Sequence, residues 1–264
     1  MEDNTNKRSS LTSEEKNRYR KLINLEEMGE AAQLRLKTSR VLIIGAGGLG
    51  SGVLPVLCAS GIGHLGIVEA DTVNASNLQR QTLYKQADQE SKKIDAAVKH
   101  LQDYNPEMEI SAFDTMLKPE NAKKIMQGYD LVLDCTDNFK TRFLINDTCA
   151  RLDIPLVYAS VNDYEGQVMV LHHKNKTDLR HIYEEEPTGE PPAEGIIPTL
   201  PHIIGAIQAN EALKLLAGSG ELLDGHMLVF NVYTNQVCLV DLPRPVGGEK
   251  VRETKKLRPR ESQP

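Results

Sequence analysis

Residues 40–53 read RVLIIGAGGLGSGV. A run of Val, Leu and Ile ends at Gly45, and Gly45, Gly47 and Gly50 then fall at G-x-G-x-x-G spacing before an apolar helical stretch. No other feature restricts the possible folds as tightly. A strand, a glycine turn and a helix in this order bring backbone amides to the positive end of the helix. A phosphate can approach there because glycine has no side chain. Glu69 ends the next apolar run, HLGIVEA, where a carboxylate can accept hydrogen bonds from ribose hydroxyls, and Asp71 is grouped with it. The plainer alternative is a tight turn packed on a sheet without ligand. The motif implies an adenine nucleotide, and both a dehydrogenase and an ATP-dependent enzyme fit it.

The rest of the chain continues the alternation. A helical pattern from Glu14 to Leu36, broken at Gly29, precedes predicted strands at 40–45, 64–70, 108–113, 130–135 and 155–161. Predicted helices at 48–60, 90–104, 119–127 and 138–151 separate them. This rhythm implies an α/β, Rossmann-like, mostly parallel sheet with helices on both faces. Near-continuous Val, Ile and Leu runs are what strands covered on two sides require. After Val161, EGQVMVLHH continues the sheet in antiparallel sense, and HMLVFNVY and QVCLVDL flank a Thr234-Asn235 hairpin. The C-terminal strands are therefore antiparallel. Residues 174–199 read as a long loop, and 201–218 as a strongly amphipathic helix capped by Gly218. Its apolar face is a candidate dimer contact. A single domain over 16–242 is expected, with a flexible stretch at 1–15 and a disordered tail at 243–264.

The formal net charge of −6 argues against nucleic acid as a partner. The polar opening MEDNTNKRSS is no signal peptide, and no apolar run reaches the roughly 18–20 residues needed to span a bilayer. A cytoplasmic protein without membrane contact is expected. Cys58, Cys135, Cys149 and Cys238 lie far apart without a CxxC pair, each in an apolar pattern. They read as small buried hydrophobes and form no zinc site.

The polar stretch SNLQRQTLYKQADQESKK, residues 76–93, separates the two enzyme readings. A dehydrogenase needs amides for a pyrophosphate and a pocket for nicotinamide, but few cations beyond the second strand. Cleavage of ATP between its α and β phosphates instead needs cations for the leaving pyrophosphate. Asn77, Arg80 and Gln81 follow Glu69 on a loop long enough to fold over the phosphates, and Lys93 opens the next helix. Lys85 and Lys92 read as ordinary solvated charges. In DLVLDCTDNFKTR, Asp134 and Asp137 bracket the carboxyl end of the fourth strand, where open α/β sheets bind ligands. Asp137 suits magnesium as a hard oxygen donor or serves as a helix N-cap, and Asn138 suits a nucleotide contact. His172 and His173 are adjacent at a strand end and read as structural or surface residues.

GAGGLGS, VEADTVNASNLQRQ, the lysine of ESKK, LDCTDN and GAIQANEALKLLAG together resemble the ThiF/MoeB/HesA family, relatives of the ubiquitin-activating enzymes, over roughly residues 14–242. The resemblance implies an ATP-binding α/β domain, typically a homodimer. It implies adenylation of the C-terminal glycine carboxylate of a small ubiquitin-like sulfur carrier ending in Gly-Gly. It further implies Gly48 at the phosphates, Glu69 at the ribose, Asn77, Arg80 and Lys93 at the phosphates, and Asp137 on Mg2+ with Asn138 nearby. Arg20 would reach into the ATP site of a partner subunit.

The chain departs from that pattern twice. Many relatives carry two zinc-binding CxxC pairs, yet the region near residue 180 reads DLRHIYEEEP and the tail has no Cys. Other packing must hold that end. Some relatives also place a Cys in the long loop, absent from PTGEPPAEGIIPTLP. Acyl-adenylate formation without an enzyme thioester is expected, because the substrate carboxylate itself attacks phosphorus. Adenylation of a precursor peptide or other carboxylate, a nicotinamide-dependent dehydrogenase and an inactive nucleotide-binding scaffold are the competing readings.

Overall fold

The computed structural model describes residues 10–183 and 195–243. Its eight strands are β1 Arg40–Ile44, β2 His64–Glu69, β3 Glu109–Asp114, β4 Leu131–Asp134, β5 Leu156–Asn162, β6 Glu165–Leu171, β7 His226–Asn231 and β8 Gln236–Asp241. They form one sheet in the order β3-β2-β1-β4-β5-β6-β7-β8. The first five neighbours pair in parallel, and β6, β7 and β8 are added antiparallel. This matches the sequence reading strand for strand.

Around the sheet lie α1 Ser13–Arg18, α2 Arg20–Ile23, α3 Gly29–Thr38, α4 Gly48–Ala59, α5 Lys93–Tyr104, α6 Pro119–Met126, α7 Phe139–Leu152, α8 Leu179–Ile182 and α9 Thr199–Ala217. Alternate residues of each strand serve opposite faces. Val41 and Ile43 join Leu49, Val53, Leu57, Leu101 and Ile204 in the core beneath α3, α4, α5 and α9. Leu42 and Ile44 join Ile125, Met126, Phe143 and Cys149 beneath α6 and α7 on the other side. Both faces are dry at β1 and β4, so these central strands have no polar alternation. Each fully buried Val, Leu or Ile contributes about 1.5–3 kcal/mol by leaving water.

Four local readings change. Thr12 and Glu15 form a reciprocal capping box at the start of α1, so helix begins inside the stretch expected to be flexible. Residues 1–9 of that stretch, the 243–264 tail beyond Pro243 and residues 184–194 of the 174–199 loop lie outside the described residues. The described part of the loop contains α8, capped by Asp178. Helix α9 is wedged between α4, α3 and the sheet, and Leu200, Ile204, Ala209 and Ala212 are completely buried. Much of its apolar surface is therefore used within its own chain, while Ile203, Ile207 and Leu216 stay half-buried.

Cys238 is exposed, contrary to the alternating-strand reading, because β8 is the terminal strand and both its faces are largely open. Cys58, Cys135 and Cys149 are buried. Polar packing occupies the end of the fold near residue 180. Asn146 Oδ1 accepts from Leu179 N at 2.9 Å and pairs with His172 Nε2 at 2.9 Å, while Arg180 grips Asp147 with two bonds. His172 is buried, and desolvation lowers its imidazole pKa below the usual value. No helix among the described residues is long and apolar enough to cross a membrane.

Candidate active site

Between β1 and β4 the chain order of the strands reverses direction, and loops leaving the sheet there diverge. A cleft of about 360 Å³ opens at that point, lined by the ends of β1, β2 and β4 and the start of α4. Its floor exists because the glycines have no side chains. Gly45 has φ +95°, and a Cβ there would stand 2.7 Å from the Cys135 carbonyl oxygen. A Cβ at Gly50 would stand 2.6 Å from the Gly45 carbonyl oxygen. Gly50 therefore closes the turn against itself and is not among the cleft-lining residues, whereas Gly45, Gly47 and Gly48 are. Gly47 is the N-cap of α4 and makes no side-chain cap bond, so the amides of the first turn meet the cleft without a competing side chain.

Glu69 lines the cleft, and its carboxylate is already engaged. Oε2 accepts from Ala46 N at 2.9 Å, and Oε1 accepts from Ala70 N at 2.8 Å and Asp71 N at 2.9 Å. It thus ties the glycine loop to β2, and Oε2 keeps lone-pair capacity for a ribose hydroxyl. Tyr84 supports the same loop, donating its hydroxyl to the Ala46 carbonyl at 2.8 Å. Burial raises the Tyr84 pKa far above that of an ordinary phenol, so it remains a donor.

The polar excursion of residues 71–92 is clamped at its base. Val73 N donates to Ser91 O, Glu90 N to Val73 O, and Lys93 N to Asp71 O at 2.8 Å. This returns Lys93 to the cleft with its side chain only 6% exposed, 3.0 Å from an Asp71 carboxylate that is 73% exposed. The ammonium is held inside and its counter-ion outside. Arg80 and Gln81 also line the cleft; Arg80 Nη1 donates to Ser76 O at 3.0 Å. Asn77 does not line it. Its carbonyl accepts from Arg80 N and Gln81 N, and so turns the chain that carries both.

On the far wall, Asp137 and Asn138 line the cleft. The N-cap of α7 is Asn138, not Asp137, because Asn138 Oδ1 accepts from Thr141 N at 2.9 Å. This leaves the exposed Asp137 carboxylate with a 3.4 Å contact from Asn138 Nδ2. Asp134 is fully buried, so it does not stand at the ligand edge expected from its position. Burial pushes its carboxyl pKa up, against the lowering pull of the Arg142 charge and the bonds from Thr136.

Arg20 is exposed on α2 and is not part of this chain's cleft. Sequence reasoning missed Tyr84, Arg142 and Gln208. Gln208 Nε2 donates to Asp134 O at 2.8 Å and Val157 O at 2.9 Å, joining α9 to the strand ends. The available signal was a polar residue interrupting an apolar helical stretch. No group of three or more His, Cys, Asp or Glu among the described residues is arranged to hold a metal. One carboxylate beside a phosphate site does fit Mg2+, which keeps several waters and shares its remaining ligands with phosphate.

A glycine loop at the switch point, with inward-facing cations on one wall and a free carboxylate on the other, defines an α/β nucleotide-binding enzyme. The ThiF family profile matches residues 19–247. A sulfur carrier protein adenylyltransferase of Thermus thermophilus is 41% identical over 229 residues, covering 83% of this chain and 84% of that protein. An adenylyltransferase and sulfurtransferase MOCS3 of Culex quinquefasciatus is 38% identical over 227 residues, covering 84% of this chain and 52% of its own length. The chain spans about half the length of such MOCS3 relatives. Among solved structures, MccB of E. coli matches with a TM-score of 0.78 at 19% identity, over 93% of this chain and 76% of that one. That likeness shows the fold alone. The chain belongs to the ThiF family and is an enzyme of its adenylyltransferase type.

Proposed function

We propose that this chain uses ATP to activate the C-terminal glycine carboxylate of a small ubiquitin-like sulfur carrier as an acyl-adenylate. The observation that carries this reading is Lys93, a buried ammonium that lines the cleft together with the glycine loop. Hydride transfer has no use for such a charge; a departing pyrophosphate has. Amides of the first turn of α4 cradle phosphate, Glu69 receives the ribose, and Arg80 and Lys93 offset charge on the β and γ phosphates. A carrier carboxylate oxygen bonds to the α-phosphorus while the bond from that phosphorus to the α,β-bridging oxygen breaks. Pyrophosphate leaves with the electron pair. Asp137 would hold Mg2+, which supplies charge neutralisation at the phosphates when bound.

No enzyme thioester is required. Cys135 borders the cleft, but burial raises its thiol pKa well above the usual value and it donates to Gln208 Oε1. Cys58 and Cys149 are also buried, and Cys238 is not a cleft residue. The working unit is a homodimer in the cytoplasm, with Arg20 of one copy completing the ATP site of the other; the exposed position of Arg20 away from its own cleft supports this. Exchange of labelled pyrophosphate into ATP tests the reading. Exchange dependent on a carrier ending in Gly-Gly supports it. Exchange only with an unrelated precursor peptide would move the substrate to that class, and NADH formation without exchange would end the reading.

A further inference from the structure

The five-residue turn from Asp134 to Asn138 carries the only cleft carboxylate expected to meet metal, and the peptide before that carboxylate is gripped from both ends. Asp134 Oδ1 accepts from Thr136 N at 2.9 Å and from Thr136 Oγ1 at 2.7 Å. On the other side Arg142 Nη2 donates to Thr136 O at 3.0 Å. Arg142 is 7% exposed and borders the cleft. Its Nη1 donates to the Tyr158 hydroxyl at 3.3 Å, and its guanidinium lies 5.2 Å from the Phe139 ring centre and 5.5 Å from that of Tyr158. These rings and the helix backbone, where Arg142 N donates to Asn138 O, fix the guanidinium in place. The bonding capacity of this bracket is not exhausted. Asp134 Oδ2 and Arg142 Nε are both buried without a hydrogen-bond partner among the described residues. A carboxyl group and a guanidinium kept this deep around a single threonine peptide are costly unless that peptide must not move.

We infer that Arg142 is a positioning residue that fixes the Asp137 carboxylate for its metal by locking the Thr136 carbonyl. The inference rests on the proposed role of Asp137 and deepens it. Arg142 acts through the backbone and does not itself need to touch nucleotide. A lysine at this position keeps the charge but cannot reach Thr136 O and Tyr158 together with a planar fork. Residues that orient a metal ligand typically change metal affinity by about 10–100-fold when replaced.

The test is calorimetric binding of a non-hydrolysable ATP analogue to the full chain, with Mg2+ and with EDTA, for wild type, Arg142→Lys, Thr136→Val and Asp137→Asn. The expected result is that Arg142→Lys and Thr136→Val lose about tenfold or more of the Mg2+-dependent gain in affinity. Their metal-free affinity should stay within about twofold of wild type. Thr136→Val leaves the Arg142 bond to the Thr136 carbonyl in place and removes the Oγ1 bond to Asp134. It therefore tests from the other side whether holding this peptide still matters, even if Arg142→Lys fails to fold. Retention of the full metal-dependent gain in a folded Arg142→Lys or Thr136→Val would overturn the inference. Equal loss with and without metal would also overturn it, because Arg142 would then be a direct nucleotide contact. If Asp137→Asn retains the gain, the role given to Asp137 fails first, and the inference falls with it.

Discussion

Lys93→Met separates chemistry from folding in one substitution. The side chain is 6% exposed and its ion-pair partner Asp71 is 73% exposed. Because solvent screens Asp71, the pair stabilises the fold by less than about 1 kcal/mol. Methionine preserves most of the apolar stem packing, so the thermal midpoint should fall by no more than about 2–4 °C for a domain of this size. Catalysis should respond very differently. At an effective dielectric near 20, a unit charge about 4 Å from a developing negative charge gains roughly 4 kcal/mol. Removing one preorganised stabiliser of such charge in other enzymes costs about 10²–10³ in rate, or ~2.7–4 kcal/mol. Pyrophosphate exchange should therefore drop at least about a hundredfold while the melting curve barely moves. Arg80→Ala should behave likewise. Exchange retained within about tenfold would refute the assignment of Lys93 to the leaving group. A melting drop beyond about 8 °C with proportional activity loss would make it a framework residue.

Gly50→Ala places a methyl 2.6 Å from a backbone oxygen, so the loop must shift; destabilisation of about 1–3 kcal/mol and a loss of ATP-analogue affinity beyond tenfold are expected, read by urea unfolding and calorimetry. Cys238→Ser should leave exchange within about twofold of wild type, and a large loss from the folded variant would contradict adenylation without a thioester. Burial lowers the folded pKa of His172, so the unfolded chain binds its proton first. The stability this gives is complete above the unfolded value near 6.5 and is lost as pH falls through the folded value, at up to about 1.4 kcal/mol per pH unit. Urea unfolding between pH 7.5 and 5.5 should show a shallower fall for His172→Gln than for wild type. His202, whose pKa burial also lowers, leaves some slope in both. An unchanged slope would exclude His172 as a contributor.

The centre of the parallel half was readable because β1 and β4 bury both faces, so Val41–Ile44 and Leu131–Leu133 have no polar interruptions. The burial of β8 was not. Its alternation reads the same whether or not a layer covers it, and its place at the end of the sheet decides the matter. The same distinction runs through the site. Glu69, Lys93 and Asp137 sit just beyond strand ends or at a helix start, where chain order alone brings them to the cleft edge. Asp134, the last residue of β4 and three residues before Asp137, is drawn inside and keeps a carbonyl and a carboxyl group for internal bonds.

Two of the three residues that escaped reading, Arg142 and Gln208, lie on helices, and contacts between elements place them. Such contacts also place His172, which the sequence marks only as structural or surface. Gln208 sits in GAIQANEAL, Arg142 on the inner side of α7, and His172 after an apolar strand. Each is a polar side chain in an apolar neighbourhood, where an unmet donor costs roughly as much as a buried methylene pair gains. Such a residue survives only with a buried partner waiting for it. Gln208 has two carbonyls, Arg142 has Thr136 O and the Tyr158 hydroxyl, and His172 has Asn146. In two of the three cases the partner is the backbone immediately beneath the cleft. Polar breaks in apolar helices therefore point to where strand ends must be held still, while charges in the loops point to what they hold.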